Sequence, residues 1–356
     1  MFLVIVILMT LFLPVLNIYF TSRNMKTNLT QQQLFSTDNL ESIINYSVYK
    51  TFNFSMNRDQ VIAGKDDFFF LGNGFAGIID KTEGTFLYRD KDIEVWGKKL
   101  KKLQDWYEKQ GIKFILAIAS NKHTVYNDKL PEHIVYKEGA TITDAMVKYS
   151  LKKMINILNL KNALRGEKDK QLYFYADTHW NNYGASIGYR HTMEFLNSTY
   201  GEKYDIPKYA MIEKALAKKG DLINLLKINY FLRDSYEKNY DFVFNNKSKV
   251  CYGEITNSNK LNKCSIGDKN KFNQYSINKD APNKEKLLYV CDSFGVANSK
   301  LYEETFNTVW RLHISYSNGS FLADFIKENK PDIVIYQVVE RDLGNNTIID
   351  DIPIKI

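Results

Sequence analysis

The final third of the chain alternates in a way that few folds accommodate. KLLYVCDSFG, TVWRLHISY and PDIVIYQVV are apolar runs of strand length, and SKLYEETF and SFLADFIKENK between them read as helices. Strands that are continuously apolar are buried on both faces, and parallel neighbours need a crossover that a helix supplies. The spacing therefore predicts β-α-β-α-β and a parallel sheet covered by helices. Earlier segments repeat the pattern. GKDDFFFLGNG gives an apolar strand between glycine turns, and VWGKKLKKLQDWYEKQG puts Leu100, Leu103, Trp106 and Tyr107 on one helical face ending at Gly111. IKFILAIA follows as a buried strand. TDAMVKYSLKKMINIL predicts a second helix with Ala145, Met146, Leu151, Met154 and Ile155 on or near its apolar face, then QLYFYA a strand, then another helix after Asn181. From about 200 to 285 the pattern weakens into short polar pieces, an irregular insertion or lid. The expectation is one three-layer α/β/α domain over residues 61–356 with that insertion.

Residues 1–20, MFLVIVILMTLFLPVLNIYF, carry no charged side chain and match the length of helix that crosses a hydrocarbon core. They lack a basic start and a small-residue cleavage site, so they are expected to form an uncleaved transmembrane anchor, with polar residues 21–60 as a stalk. Arg23 and Lys26 follow the span, and the positive-inside rule taken alone would leave the body of the chain in the cytoplasm. The net charge of +7 is spread over lysine-rich surface without a basic-aromatic motif, which speaks against nucleic acid as a partner. Cys251 and Cys264 bracket a polar loop and are candidates for a disulfide in an oxidising compartment, whereas Cys291, in LLYVC, reads as a small buried hydrophobe.

Two segments carry chemistry. Ser293 lies just past the C-terminal end of an apolar strand and before a helix, where open α/β sheets place reacting groups. A sharp turn there exposes the hydroxyl and leaves backbone N–H groups for an oxyanion, although this segment by itself reads more readily as Asp292 and Ser293 capping the helix. In YFYADTHWNNYGA, Asp177 and His179 stand two apart at the end of another apolar run, so an extended backbone sends both to one face, where the carboxylate holds the imidazole tautomer. A loop histidine beside a capping aspartate fits the same residues. No further Cys or His stands nearby with ligand spacing, so no metal is expected.

The order GKDDFFFL, SNKHTVYNDKLP, ADTHWNNYGA, GDL at Gly220 to Leu222, VCDSFG and KPDIVIYQVVER resembles the AlgX/AlgJ family of alginate O-acetyltransferases, with relatives acting on peptidoglycan and secondary wall polymers. The resemblance covers most of residues 61–343. It implies an SGNH-hydrolase-like fold with the Asp-x-His ahead of the serine, Ser293 as nucleophile, His179 as general base and Asp177 as its orienting acid. It also implies a cleft lined by Lys122 and Tyr126, with Trp180, Glu340 and Arg341 near it. Blandly read, these are a loop lysine, packing residues and an ion pair. Two positions depart from the pattern: Cys291 stands where such proteins usually have glycine, and Ser120-Asn121 replaces a proline-containing start.

What the resemblance implies is two-step acetyl transfer to a cell-envelope polysaccharide without cofactor or metal. The acetyl donor would be a multi-pass membrane-bound O-acyltransferase, and the catalytic domain would lie outside the cytoplasmic membrane. An acetylesterase with the same triad and a non-catalytic glycan-binding subunit are the alternatives.

Overall fold

The computed structural model describes residues 2–23, 30–86, 88–217, 220–232, 236–245, 248–256, 261, 263–266, 271–316 and 319–343. In chain order its strands are β1 (Val61–Ala63), β2 (Phe69–Leu71), β3 (Lys113–Ala119), β4 (Ile157–Asn159), β5 (Tyr209–Ala217), β6 (Tyr236–Phe244), β7 (Cys251–Glu254), β8 (Ser265–Ile266), β9 (Gln274–Ile277), β10 (Asn283–Cys291), β11 (Phe306–His313) and β12 (Ile333–Val339). Two compact units are present: Met1–Phe75 with Tyr175–Thr178 and Leu216–Glu237, and the remainder.

The larger unit holds an eight-stranded sheet in the order β4-β3-β12-β10-β11-β9-β7-β8. The first five of these strands are mutually parallel. β9, β7 and β8 continue the sheet in antiparallel pairs. The sheet is therefore mixed, which corrects the expectation of a parallel one. The reason lies in β7, β8 and β9, short strands close together in sequence with no helix between them among the described residues, and such neighbours pair antiparallel. The supposed irregular insertion thus supplies three strands of the central sheet, and Cys251 and Cys264 are joined there by a disulfide with Cα atoms 5.5 Å apart.

Alternation along β10 fills both faces. Leu288 and Val290 pack with Trp310, Val334 and Tyr336 under helices Asp90–Lys109, Ile142–Lys153 and Gly319–Asn329. Leu287, Tyr289 and Cys291 point the other way, onto helices Asn182–Tyr200 and Val296–Thr305. This is the expected three-layer α/β/α arrangement. Two details differ. Met154 adopts φ 52° and ends its helix at Lys153, so Leu151 and Met154 stand exposed while Met146 and Ile155 are buried. QLYFYA joins no sheet: Tyr173 makes a single bridge to Trp180, because the segment folds back on the residues that follow it.

In the smaller unit, the helix Phe2–Arg23 corrects the expected transmembrane anchor: among the described residues no helix is long and apolar enough to cross a membrane. One side of its second half packs against protein. The buried Asn17 side chain donates to the carbonyls of Leu34 (2.8 Å) and Ser36 (3.0 Å) and accepts from Asn39 (2.8 Å), and Phe20 packs on Tyr230 with centroids 4.5 Å apart. An amide placed mid-helix and tied to backbone is a tertiary anchor, costly to expose to lipid. Within the span expected as a stalk, Gln31–Leu34 and Asp38–Phe52 are helical, and Asn45 donates to the Leu226 carbonyl at 2.8 Å.

The same unit explains the GDL segment. A Cβ on Gly220 would fall 1.8 Å from the Ala176 carbonyl oxygen, so only glycine lets the two backbones approach. That approach delivers Asp221 to the Asp-Thr-His segment. Its carboxylate accepts from the Thr178 N–H at 2.8 Å and the Thr178 hydroxyl at 2.5 Å, and its own N–H donates to the Asp177 carboxylate at 3.2 Å.

Candidate active site

β10 delivers the serine. Its last residue, Cys291, pairs with Gln337 on β12 and His313 on β11, and the chain then turns through a short 3-10 helix, Ser293–Gly295, into the helix Val296–Thr305. The buried Asp292 carboxylate fixes that turn, accepting from the N–H of Phe294 at 2.9 Å and of Val339 at 2.6 Å, one oxygen each. Gly295 is required by space, since a Cβ there would lie 2.4 Å from that of Cys291. The cysteine thus packs under the turn as a buried hydrophobe, as expected. Ser293 remains exposed, and its own N–H meets no acceptor among the described residues.

The structure brings His179 to Ser293, with Nε2 2.8 Å from Oγ. Two backbone bonds hold the histidine loop closed, Phe174 N–H to the His179 carbonyl (3.2 Å) and Asn181 N–H to the Leu172 carbonyl (2.8 Å). Asn181 then caps the helix Asn182–Tyr200, accepting from Tyr183 and Gly184. Trp180 is buried on the face of that helix opened by Gly184 and Gly188, and its Nε1–H donates to the Phe294 carbonyl at 2.9 Å. Phe294 is the hub: the rings of His179 and Trp180 pack on it at 4.9 and 5.4 Å, and the Arg341 guanidinium sits 5.3 Å from its centroid. The geometry suits proton exchange between an exposed hydroxyl and an imidazole, beside a backbone donor for developing negative charge.

The five further residues named from sequence fall differently. Lys122, Tyr126, Trp180 and Glu340 are buried, and Arg341 is half-buried. Glu340 accepts from the Asn121 N–H (2.9 Å) and the Thr124 hydroxyl (2.6 Å), tying down the helix Lys122–Val125, and Tyr126 accepts from the Leu172 N–H at 2.9 Å. Burial pushes the Glu340 carboxyl above its usual range. Sequence reasoning gave no role to Phe294 beside the serine or to Asp221. The only available signals were their places in the D-S-F and G-D-L segments.

Asp292 carries a pH signature. Burial pushes its carboxyl up to about 6 against the N–H of Val339, which favours the charged form. A raised carboxyl gives stability that is complete below its unfolded value of 3.8 and is lost as pH rises through about 6. Asp292→Asn lacks that titration and loses one of the two accepted bonds. Its melting temperature is expected to fall furthest below wild type near pH 4, with the gap narrowing by pH 7. A gap independent of pH in parallel thermal melts would refute this.

The site is thus a serine–histidine pair at the C-terminal edge of an α/β/α sheet, with the histidine earlier in the chain than the serine. Residues 61–248 match the model of the SGNH hydrolase-like domain of acetyltransferase AlgX, and the chain belongs to that family. Its fold is similar to that of Bacillus cereus PatB1, with TM-score 0.59, 16% identity and coverage of 80% of this chain and 97% of that one. A DHHW family protein from Eubacterium siraeum (TM-score 0.55, 16% identity, 73% and 90% covered) and the O-acetyltransferase domain of Pseudomonas putida AlgJ (0.51, 15%, 80% and 92%) are also similar. No curated protein matches the chain by sequence.

Proposed function

We propose that the chain is an O-acetyltransferase that passes an acetyl group through Ser293 onto hydroxyls of a cell-envelope polysaccharide. The observation carrying this reading is the 2.8 Å contact between His179 Nε2 and an exposed Ser293 Oγ, in a family of acetyltransferase domains. His179 takes the serine proton as Oγ attacks the acetyl carbonyl, the Ser293 N–H stabilises the oxyanion, and the bond from the carbonyl carbon to the donor then breaks, the donor group leaving with the proton from His179. Asp177, two residues earlier in the chain, is assigned to hold the imidazole with its proton on Nδ1, so that Nε2 can accept. In the second step a sugar hydroxyl gives its proton to His179 and takes the acetyl group, regenerating Ser293. The disulfide between Cys251 and Cys264 supports an oxidising location, since such bonds persist outside the cytosol. Acetyl-CoA is cytoplasmic, so the donor assigned is a multi-pass membrane-bound O-acyltransferase that hands acetyl groups outward.

The test is to incubate the chain with an activated acetyl ester and map the added mass. An acetyl group on Ser293, discharged faster by oligosaccharide than by water, is the expected result. Discharge by water alone would make the protein an esterase, and an inert Ser293 would leave a glycan-binding subunit.

A further inference from the structure

The register that places Ser293 places a second imidazole at the same edge of the sheet. His313 ends β11 opposite Cys291, which ends β10 two residues before the serine. With strands about 4.8 Å apart and a rise of about 3.3 Å per residue, the Cα atoms of His313 and Ser293 lie within roughly 10 Å. Residues in register across parallel strands share a face, so His313 and Arg311 lie on the side covered by the helix that the Ser293 turn opens. Arg311 confirms that side by donating to Ser299 Oγ of this helix at 2.5 Å.

A built wall stands beside His313. Arg311 donates to the carbonyls of Phe272 (2.9 Å) and Lys271 (2.7 Å), Asn273 Oδ1 accepts the His313 N–H at 2.8 Å, and the Phe272 ring meets the imidazole edge-on at 4.7 Å. The ring's tautomer follows from its partner. The Ser315 N–H donates to Nδ1 at 3.2 Å, so the neutral ring carries its proton on Nε2. Burial lowers the ring's pKa and favours that neutral form. Nε2 has no partner among the described residues, which leaves one oriented N–H donor at the nucleophile's edge.

We infer that His313 selects the acceptor: its Nε2–H holds an oxygen of the sugar whose neighbouring hydroxyl attacks the acetyl-enzyme. The inference rests on the acetyl-transfer reading above. In the step it serves, the sugar oxygen bonds to the acetyl carbon, the bond from that carbon to Ser293 Oγ breaks, and the hydroxyl proton passes through His179 to Oγ. Water needs no such positioning, so loss of the donor shifts the partition from transfer toward hydrolysis.

Two variants test it, His313→Leu, which removes the donor, and His313→Gln, which keeps an N–H. Each is acetylated with p-nitrophenyl acetate, and O-acetylated product is measured against acetate with a neutral β-1,4-linked pentasaccharide as acceptor. The leucine variant is expected to lower the product-to-acetate ratio about tenfold and raise the acceptor KM, as for one lost hydrogen bond, and glutamine to restore most of it. An unchanged ratio in His313→Leu overturns the inference, as does a drop in the p-nitrophenol burst equal to the drop in transfer. A wild-type protein that yields only acetate sinks the transfer reading itself, and this inference with it.

Discussion

Ser293→Ala and His179→Ala are each expected to lower acetyl transfer by about ten-thousandfold or more, and the double variant to be no worse than either. In the proposed reaction the two atoms 2.8 Å apart act as one unit: without the hydroxyl there is nothing for the imidazole to deprotonate, and without the imidazole the hydroxyl is a poor nucleophile. Losses that multiplied would mean that the residues work separately. Ser293 is exposed and His179 half-buried, so neither change opens a cavity in the core, and thermal melts should stay close to wild type. Asp177→Asn should retain some activity, because it disturbs only the tautomer and charge of the base. A fully active Ser293→Ala protein would overturn the assignment.

Trp180→Ala should have the largest effect on stability, about 3–5 kcal/mol, read as a fall in melting temperature or denaturant midpoint. The indole is among the largest fully buried side chains, and the two glycines that receive it cannot fill the space it leaves. Trp180→Phe separates packing from hydrogen bonding. It keeps an aromatic ring but loses the N–H donated to the buried carbonyl of Phe294, the residue after Ser293. Its expected signature is a stability loss of about 1–3 kcal/mol with a lower kcat, because the carbonyl loses its side-chain donor and the turn carrying Ser293 loosens. Wild-type kcat in the phenylalanine variant would show that Trp180 only fills space.

The parallel half of the sheet was legible because its strands are apolar throughout, with Leu287 to Cys291 and Ile333 to Ile335 fully buried. Burial on both faces leaves that trace in sequence whatever the tertiary context. β7 and β8 left none: they are short, and side chains such as Ser265 and Ile266 are exposed, so they exist through their pairing and the disulfide. The apolar start misled because hydropathy counts Asn17 as one polar residue among many apolar ones, while the fold uses its amide as a triple anchor. At the site, residue types singled out Ser293 and His179, which the structure brings within 2.8 Å of each other. They did not show that Lys122, Tyr126 and Glu340 would be buried, since a charged or hydroxylated side chain reads the same in a cleft and in a satisfied interior network.

The order of the central sheet also governs how the molecule meets its own copies. Its two outermost strands, β4 and β8, are three and two residues long, and both are shorter than the strands they flank. A strand edge recruits another chain through a row of unpaired N–H and C=O groups, and two or three residues offer too short a row to template one. At the β8 side the disulfide adds a covalent lock that keeps the edge from peeling back to expose the longer β7 and β9 behind it. Both margins of the central sheet are thereby guarded against edge-to-edge pairing with another chain.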